Sequence, residues 1–344
     1  MTTSDVLPTA PPKAAVASNG NGPWATAFRR LSRNRSAIIG LGFFILIVIA
    51  CLLAPVYAHS IAHVDAFNSN IDGTIHVDGQ DLQVMQPNTE GLGLGVTPIG
   101  PTWDFSTYFL GADTQGRDVF ARLLYGGRNS LMIASISTVL CLIMATIVGL
   151  AAGFLGGWTD SVLSRLMDIL WAFPVYLLAI SLSIVLIQGL TIGPIHLTSG
   201  SLALPILIIA IVYVPYVARP IRGQVITLKN AEFVTAAVGL GVPPWRILYR
   251  DILPNILPTL IVFVPLMMVL NMSTEAALSF LSVGVQSPDA SWGTIIQDGE
   301  SLLYTRPWVS IAPGMCIAAT ILSLNIFGDG VSEAFDPRAK GGRK

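Results

Sequence analysis

Residues 37–58 read AIIGLGFFILIVIACLLAPVYA and contain no charged side chain. A helix needs about 20 residues to cross the hydrocarbon core of a bilayer, so this stretch is long enough to span it. Lipid offers no partner for backbone N–H and C=O groups, which favours a helix. Over the whole chain, 53% of residues are hydrophobic and only 11% are charged, whereas an ordinary soluble domain carries about 25% charge. The sequence therefore predicts an all-α membrane protein.

Five further apolar stretches are long enough to cross a membrane, which gives six predicted transmembrane helices in all. The fourth stretch is short and contains Pro205 and Pro215, which makes its ends hard to place. The predicted spans lie near 37–58, 131–155, 169–190, 202–218, 256–278 and 309–328.

Basic residues predict the orientation, because short cytoplasmic loops carry an excess of Lys and Arg. One cluster precedes the first span, one lies between spans four and five, and one follows the last span. With six crossings all three clusters fall on the same side, so both termini are predicted to be cytoplasmic. The clusters are Arg29, Arg30, Arg33 and Arg35; Arg219, Arg222, Lys229, Arg246 and Arg250; and Arg338, Lys340, Arg343 and Lys344.

The remaining segments divide the chain into five parts. Residues 1–23 are rich in Pro, Ala, Ser, Asn and Gly, which predicts a disordered cytoplasmic tail. The other parts are the flank and first span (24–58), an extracytoplasmic segment (59–129), a five-helix core (130–328) with a cytoplasmic loop at 219–255, and a cytoplasmic tail (329–344).

Two structures are predicted inside the extracytoplasmic segment. The run 74–85 alternates around Asp78–Gly79, a dipeptide typical of two-residue hairpin turns. Residues 110–131 place apolar side chains near helical spacing with arginines among them. They predict an amphipathic helix at the membrane surface, serving either as an interfacial anchor or as a contact for an outer docking partner. The histidines at 59, 63 and 76 form no tight ligand cluster, so no metal site is predicted.

The cytoplasmic loop contains EFVTAAVGLGVPPWRILYRDILPN at 232–255. A helix-forming run ends at Gly241, and Pro243 and Pro244 prevent its continuation. A second helical segment leads through Pro254 into span five. The pattern predicts two short helices joined at a sharp corner, either a coupling element for a partner or an ordinary amphipathic elbow.

Four motifs in order resemble those of one transporter family. The 232–255 stretch resembles the Glu-Ala-Ala loop of permease subunits in ATP-driven importers, through Ala236, Ala237, Gly241 and the Leu253-Pro254 pair. Three further stretches are similar to signatures of the C-type subunits of dipeptide, oligopeptide and nickel importers. They are LGADTQGRDVFARLLYGGRNSL (110–131), EAALSFLSVG (275–284) and LNIFGDGVSEAFDPR (324–338).

The chain also departs from the pattern of that family. Thr235 occupies the acidic position of the triplet, although Glu232 lies one turn earlier. Asp251 stands where a histidine is frequent, and Ser332 stands where an arginine is common. These departures leave the charge pairing of the loop with a partner open.

The resemblance implies a permease subunit in the bacterial cytoplasmic membrane. Its partners would be a related second permease subunit, two ATPase subunits that bind ATP and Mg, an extracytoplasmic solute-binding protein and lipid, with no nucleic acid. This chain would bind no cofactor and catalyse no reaction, and it lacks the G-x-x-x-x-G-K-[ST] loop that cradles phosphates. The implied coupling residues are Glu232, Thr235, Ala236, Ala237, Gly241, Arg246 and Pro254, and the outer signature comprises Asp113, Gly116, Arg117, Asp118, Arg122 and Arg128.

Polar residues inside the spans are candidates for the translocation path. Charged groups at membrane depth usually face protein or water, so Glu275 with Asn271 is either part of the path or a helix–helix hydrogen bond. Asp168 is predicted to pair with Arg165 at the membrane surface. The sequence further predicts free apolar cysteines, and close helix approach at the glycines that end span two, Gly149, Gly153, Gly156 and Gly157.

Two alternatives to a peptide importer subunit stay open at this point. One keeps the fold and imports nickel or another small solute. The other is a stand-alone ion-coupled transporter, which would show internal repeats and paired intramembrane charges.

Overall fold

The computed structural model describes residues 23–77, 80–88, 95–186, 188–192, 195–198 and 200–335. Helices dominate, and short hairpins lie between them. The helices are α1 (Pro23–Leu31), α2 (Arg35–Leu52), α3 (Ala54–Val56), α4 (Val119–Leu155), α5 (Gly157–Ala172), α6 (Val175–Leu186), α7 (Ala203–Lys229), α8 (Glu232–Gly239), α9 (Pro244–Ile247), α10 (Leu253–Phe280), α11 (Trp292–Asp298) and α12 (Trp308–Phe335). The strands are β1 (Thr74–Val77), β2 (Gln80–Gln83), β3 (Met85–Pro87), β4 (Val96–Pro98), β5 (Leu190–Ile192) and β6 (Ile195–Leu197), paired antiparallel as β1–β2, β3–β4 and β5–β6.

Among the described residues, five helices are long and apolar enough to cross a membrane, and a bent pair of helices makes a sixth if it is one span. The bent pair replaces the straight span predicted at 169–190. Helices α5 and α6 meet at an angle of 93°, with Phe173 extended at φ −92° and ψ 140°. Pro174 explains the break, because proline disfavours a helical conformation of the residue before it.

The core is built on the packing of α4 against α7. A Cβ atom added at Gly149 would lie 2.9 Å from the Ala218 carbonyl oxygen, and one added at Gly153 would lie 2.8 Å from Val225 Cβ. This confirms the prediction of close helix approach for these two glycines. Gly156 and Gly157 face open space instead and have positive φ, so they form the turn between α4 and α5.

The outer segment contains the predicted hairpin. Strand β1 pairs with β2 in the register Thr74 to Gln83, and the Asp78–Gly79 turn lies outside the described residues. Val84 is fully buried beside this hairpin.

The predicted interfacial helix at 110–131 is wrong. Residues 110–118 form a loop, closed by a bridge between Ala112 and Asp118, and the helix that starts at Val119 continues without interruption to Leu155. Arg117 and Arg122 are buried and do not lie at a surface. The apolar spacing belongs to one helix that is covered by protein on its outer turns.

Three other predictions need correction or fall partly outside the described residues. Asp168 pairs with Arg219 of α7 at 2.9 Å and not with Arg165, as was predicted. Spacing along the chain does not identify Arg219 as the partner. Helix α12 continues to Phe335, so the tail predicted from residue 329 begins later, and residues 336–344 lie outside the described part. Residues 1–22 of the predicted N-terminal tail also lie outside it, and Pro23 begins α1. The three cysteines are free, as predicted.

Candidate functional site

A left-handed glycine stops the loop helix α8. Gly241 has φ +73°, the Val242 N–H donates to the Ala237 carbonyl at 3.1 Å, and the Gly241 N–H donates to Val238 at 2.9 Å. These two bonds form a Schellman motif, which satisfies carbonyls at the end of a helix and favours glycine. Pro243 and Pro244 follow, and Pro244 begins α9. Sequence and structure therefore agree on the corner after α8.

The second helix of the loop is not a separate element. Helix α9 continues through a π-helical turn, Leu248–Ile252, into α10, so one helical path of 37 residues runs from Pro244 to Phe280. Pro254 lies in its first α-helical turn after the π turn and is exposed. This continuity corrects the prediction of two short helices.

Several large apolar side chains of the loop are exposed. Leu240 is 84% exposed, and four others around the same corner are also exposed. Large apolar side chains that are exposed together are typical of a contact site for a protein partner or a membrane. We call this set the loop surface: Phe233, Val238, Leu240, Trp245 and Tyr249.

The inner side of the loop packs on the transmembrane core. Val234, Ile247 and Ile252 are buried and belong to the main hydrophobic cluster, which also contains Val225 of α7 and Ile256 of α10. The loop is therefore attached to two spans by apolar packing, and a force applied to the loop surface acts on both spans.

The predicted coupling residues lie around the loop surface. Ala237 is half-buried and the Arg246 guanidinium lies 5.5 Å from the centre of the Trp245 ring. Thr235, in place of the acidic residue, donates from its hydroxyl to the Ala231 carbonyl at 3.2 Å. The remaining residues of the predicted set are exposed: Glu232, Ala236, Gly241 and Pro254. The small residues do not supply the exposed apolar area, and the large side chains that do were missed by the motif comparison. A helical wheel does not separate Val238 from the buried Val234, because residues four apart lie on the same face of a helix.

The two path candidates, Glu275 and Asn271, are fully buried among helices. The Ser279 hydroxyl donates to Glu275 Oε1 at 2.7 Å and accepts from the Val285 N–H at 3.1 Å. Asn271 donates from Nδ2 to Thr138 Oγ1 of α4 at 2.9 Å. Glu275 Oε2 and Asn271 Oδ1 have no hydrogen-bond partner. In this arrangement neither side chain reaches solvent. Asn271 makes a hydrogen bond between α10 and α4, and the bond of Glu275 to Ser279 lies within α10.

Three residues of the outer signature and one distant aspartate form a buried ion-pair cluster. Asp113 accepts from Arg117 Nε at 2.7 Å, and Arg122 Nε lies 3.3 Å from the same oxygen. Asp298, at the end of α11, accepts from Arg117 and Arg122 at 3.0 Å each. Arg122 also donates to the Ala66 carbonyl at 3.2 Å. The cluster thus ties α4, α11 and the outer segment together.

The other signature residues support this cluster or lie apart from it. Gly116 has φ +72°, and an added Cβ would lie 2.5 Å from the Asn70 carbonyl oxygen, so the close approach requires glycine. Arg128 is exposed and separate from the cluster. Arg117 and Arg122 are buried and contact other parts of this chain.

Asp118 is the N-cap residue of α4 and is completely buried. Its Oδ1 accepts from the Ala121 N–H at 2.7 Å, while Oδ2 has no partner. Burial raises the pKa of Asp118 to about 6, against the opposing effect of backbone hydrogen bonds. Burial also raises the pKa of Asp298, although Arg122 and Arg117 oppose that rise. The outer end of α4 therefore holds carboxylates in a poorly solvated environment.

Comparison with known proteins places these features in one family. Residues 145–341 match the family model described as binding-protein-dependent transport system inner membrane component, and residues 22–72 match the N-terminal transmembrane domain of oligopeptide transport permease C.

Individual relatives match along most of the chain. It is 33% identical to the dipeptide transport system permease protein DppC of Alkalihalophilus pseudofirmus, over 92% of this chain and 91% of that protein. It is 33% identical to the oligopeptide transport system permease protein OppC of Bacillus subtilis, over 92% and 90%. It is 32% identical to the glutathione transport system permease protein GsiD of Pectobacterium atrosepticum, over 92% of each. A chain of the inward-facing MetNI methionine ABC transporter superposes with a TM-score of 0.49 and 18% identity, over 62% of this chain and 96% of that one.

Proposed function

Because the chain belongs to the family of binding-protein-dependent transport system inner membrane components, we propose that it is a permease subunit of an ATP-driven peptide importer. The relatives that match more than nine-tenths of the chain are permeases for dipeptides, oligopeptides and glutathione, which supports a peptide cargo over nickel. The chain would form half of the translocation path and would itself bind no ATP.

The loop surface carries the proposal. Five large apolar side chains stand exposed on a segment whose other side packs on α7 and α10. A partner that covers this surface would recover the hydrophobic free energy, at roughly 25 cal/mol per Å² of apolar area. Leu240 and Val238 would enter the partner, and Glu232 and Arg246 would lie at the rim of the contact. The ATPase subunits are the partners that we expect to cover the loop surface, because they must act on the membrane subunit from the cytoplasm.

The orientation that brings the loop to the cytoplasm is part of the proposal. Helix α7 ends at the loop and helix α10 begins there, close to Arg222, Lys229, Arg246 and Arg250. This basic excess is typical of cytoplasmic loops and supports an orientation with both termini in the cytoplasm and the ion-pair cluster outside. The further partners are a second permease subunit, a second ATPase subunit and an extracytoplasmic solute-binding protein.

The test is copurification of the chain with the products of its neighbouring genes, together with peptide-stimulated ATPase activity. Leu240→Asp places a charge at the centre of the loop surface, and we expect loss of ATPase subunits from the complex. Gly241→Arg should uncouple ATP hydrolysis from peptide, because it breaks the Schellman corner. Tyr304→Asp is the matched control, since Tyr304 is 99% exposed on the opposite side and its variant should keep the ATPase subunits.

Other outcomes contradict the proposal in distinct ways. If the wild-type chain purifies alone and accumulates peptide in vesicles under an ion gradient, it is a secondary transporter. If the complex forms but nickel and not peptide stimulates hydrolysis, the coupling stands and the cargo is wrong.

A further inference from the structure

A short amphipathic helix, α1, precedes the first span and has an uncovered aromatic face. Trp24 and Phe28 are four residues apart, so they lie on the same face of the helix. Trp24 packs edge to face on Phe335 with 5.7 Å between ring centroids, and Ala27 is buried. Phe28 remains 74% exposed. One edge of α1 is thus held against the end of α12, while Phe28 is left mostly uncovered by the described part of the chain.

Basic residues surround this face. Arg29 lies in the last turn of α1, Arg33 in the turn after it, and Arg35 at the start of α2, and all three are exposed. The first turn of α2 contains no acidic residue that would offset them. The nearby acid Glu333 accepts a hydrogen bond from Asn34 at 3.1 Å. The local charge is therefore strongly positive at the junction of α1 and α2.

The position of α1 determines what can cover it. Helix α2 begins four residues after α1 ends, and its side chains Ile38, Ile39 and Phe43 are exposed, as expected of a lipid-facing span. Helix α1 therefore adjoins the start of that span in the chain. A helix with an apolar face and basic flanks lies in the membrane interface, where anionic lipids attract it.

We propose that the junction of α1 and α2 binds anionic phospholipid headgroups of the cytoplasmic leaflet. Phe28 and the edge of Trp24 enter the boundary between headgroups and acyl chains, and Arg29, Arg33 and Arg35 contact the phosphates. Arginine matches phosphate geometry through paired N–H donors. The proposal rests on the orientation given under Proposed function, because it needs the N-terminus in the cytoplasm.

The test uses the purified complex in nanodiscs, with a fluorophore on Phe28→Cys. Cys51 and Cys141 are buried and Cys316 lies within a span, so labelling is selective for the introduced thiol. The probes are brominated phosphatidylglycerol and brominated phosphatidylcholine, which quench a fluorophore that they touch. We expect strong quenching and a clear preference for phosphatidylglycerol.

Charge removal then tests the arginines. A basic residue near an anionic surface contributes about 1 kcal/mol, which is about a fivefold change in preference. Arg29→Gln combined with Arg33→Gln should therefore reduce the preference for phosphatidylglycerol about 25-fold. Arg128→Gln removes one exposed arginine on the opposite side and should leave the preference unchanged.

Three results would overturn the proposal. Equal quenching by both lipids means that no headgroup is recognised. Quenching by aqueous iodide and not by lipid means that the face lies in water. A label shielded from both means that a protein covers it. Because copurification of the ATPase subunits is measured on the same samples, a failed lipid test is distinguishable from failure of the proposed function.

Discussion

Replacing Asp118 by asparagine should change how stability depends on pH. The side chain is fully buried, and Asn is as good an N-cap as Asp, so the bond from Oδ1 to the Ala121 N–H survives. What changes is the charge. Burial raises the pKa of this carboxyl from 3.8 to about 6, and at 1.36 kcal/mol per pK unit ionisation in the folded state is disfavoured by about 3 kcal/mol.

The sign of the change in unfolding free energy with pH follows from the linkage between protonation and folding. A carboxyl whose pKa is higher in the folded protein contributes most stability when it is protonated, below the unfolded value of 3.8. That contribution is lost as pH rises to about 6. The wild-type protein should therefore lose about 3 kcal/mol of unfolding free energy over this window relative to Asp118→Asn, which carries no proton there. The Asn amide adds a donor where Oδ2 has no partner, which costs about 1–3 kcal/mol at every pH and leaves the slope unaffected.

The assay is unfolding of the purified chain by a denaturing detergent at a series of pH values between 4 and about 7. Asp104→Asn is the control of opposite sign. Asp104 is exposed, and hydrogen bonds from Ser106 lower its pKa below 3.8. Its contribution is lost only when acidification goes below that value, so the series is extended below 3.8 for this control. Parallel pH profiles for wild type and Asp118→Asn would refute the reasoning, because they would mean that the carboxyl is solvated.

Two glycine substitutions test the loop and the core. Gly241→Ala forces a Cβ into a left-handed conformation, at a cost of about 1–2 kcal/mol, and should lower peptide-stimulated ATPase activity in the reconstituted complex. Gly239→Ala, in open space two residues earlier, should leave activity unchanged, and equal effects of both would contradict the role of the corner. Gly153→Ala should lower stability by about 1–3 kcal/mol through overpacking against Val225. Gly314→Ala, in a span but facing open space, should leave stability unchanged. A Gly153→Ala variant as stable as the wild type would show that α4 and α7 are packed less closely.

Hydrophobic length and punctuation made most of the transmembrane architecture predictable. Residues 37–58 have no charge to interrupt a helix, and α2 occupies that stretch as far as Leu52, after which α3 and a π-helical turn follow. Gly241 with Pro243 and Pro244 marked the end of α8 because each residue acts through its own backbone. The bend at Phe173–Pro174 was not predicted, because the length of an apolar stretch does not indicate whether the helix within it is straight. Pro174 was the local signal for the bend.

Contacts between distant residues could not be predicted in this way. Arg117 and Arg122 looked like the polar face of a surface helix because their partner Asp298 lies more than 170 positions further along the chain. Buried arginines need a carboxylate that folding brings to them, and nothing in the 110–131 stretch identifies it. Asp168 posed the same difficulty: Arg165 lies near in sequence, while Arg219 lies near in space.

The distribution of proline indicates which helices bend when the loop surface is pushed. Helix α4 runs for 37 residues without proline, and its outer end is fixed to α11 by the ion-pair cluster. Helix α7 contains Pro215 and Pro220, and α10 contains Pro258 and Pro265, where backbone hydrogen bonds are missing and kinks concentrate. Both proline-containing helices carry the buried side chains that attach the loop. A displacement of α8 therefore acts on the two helices that contain proline, against an α4 that has no proline and is anchored at one end, and this asymmetry is what a driven gate requires.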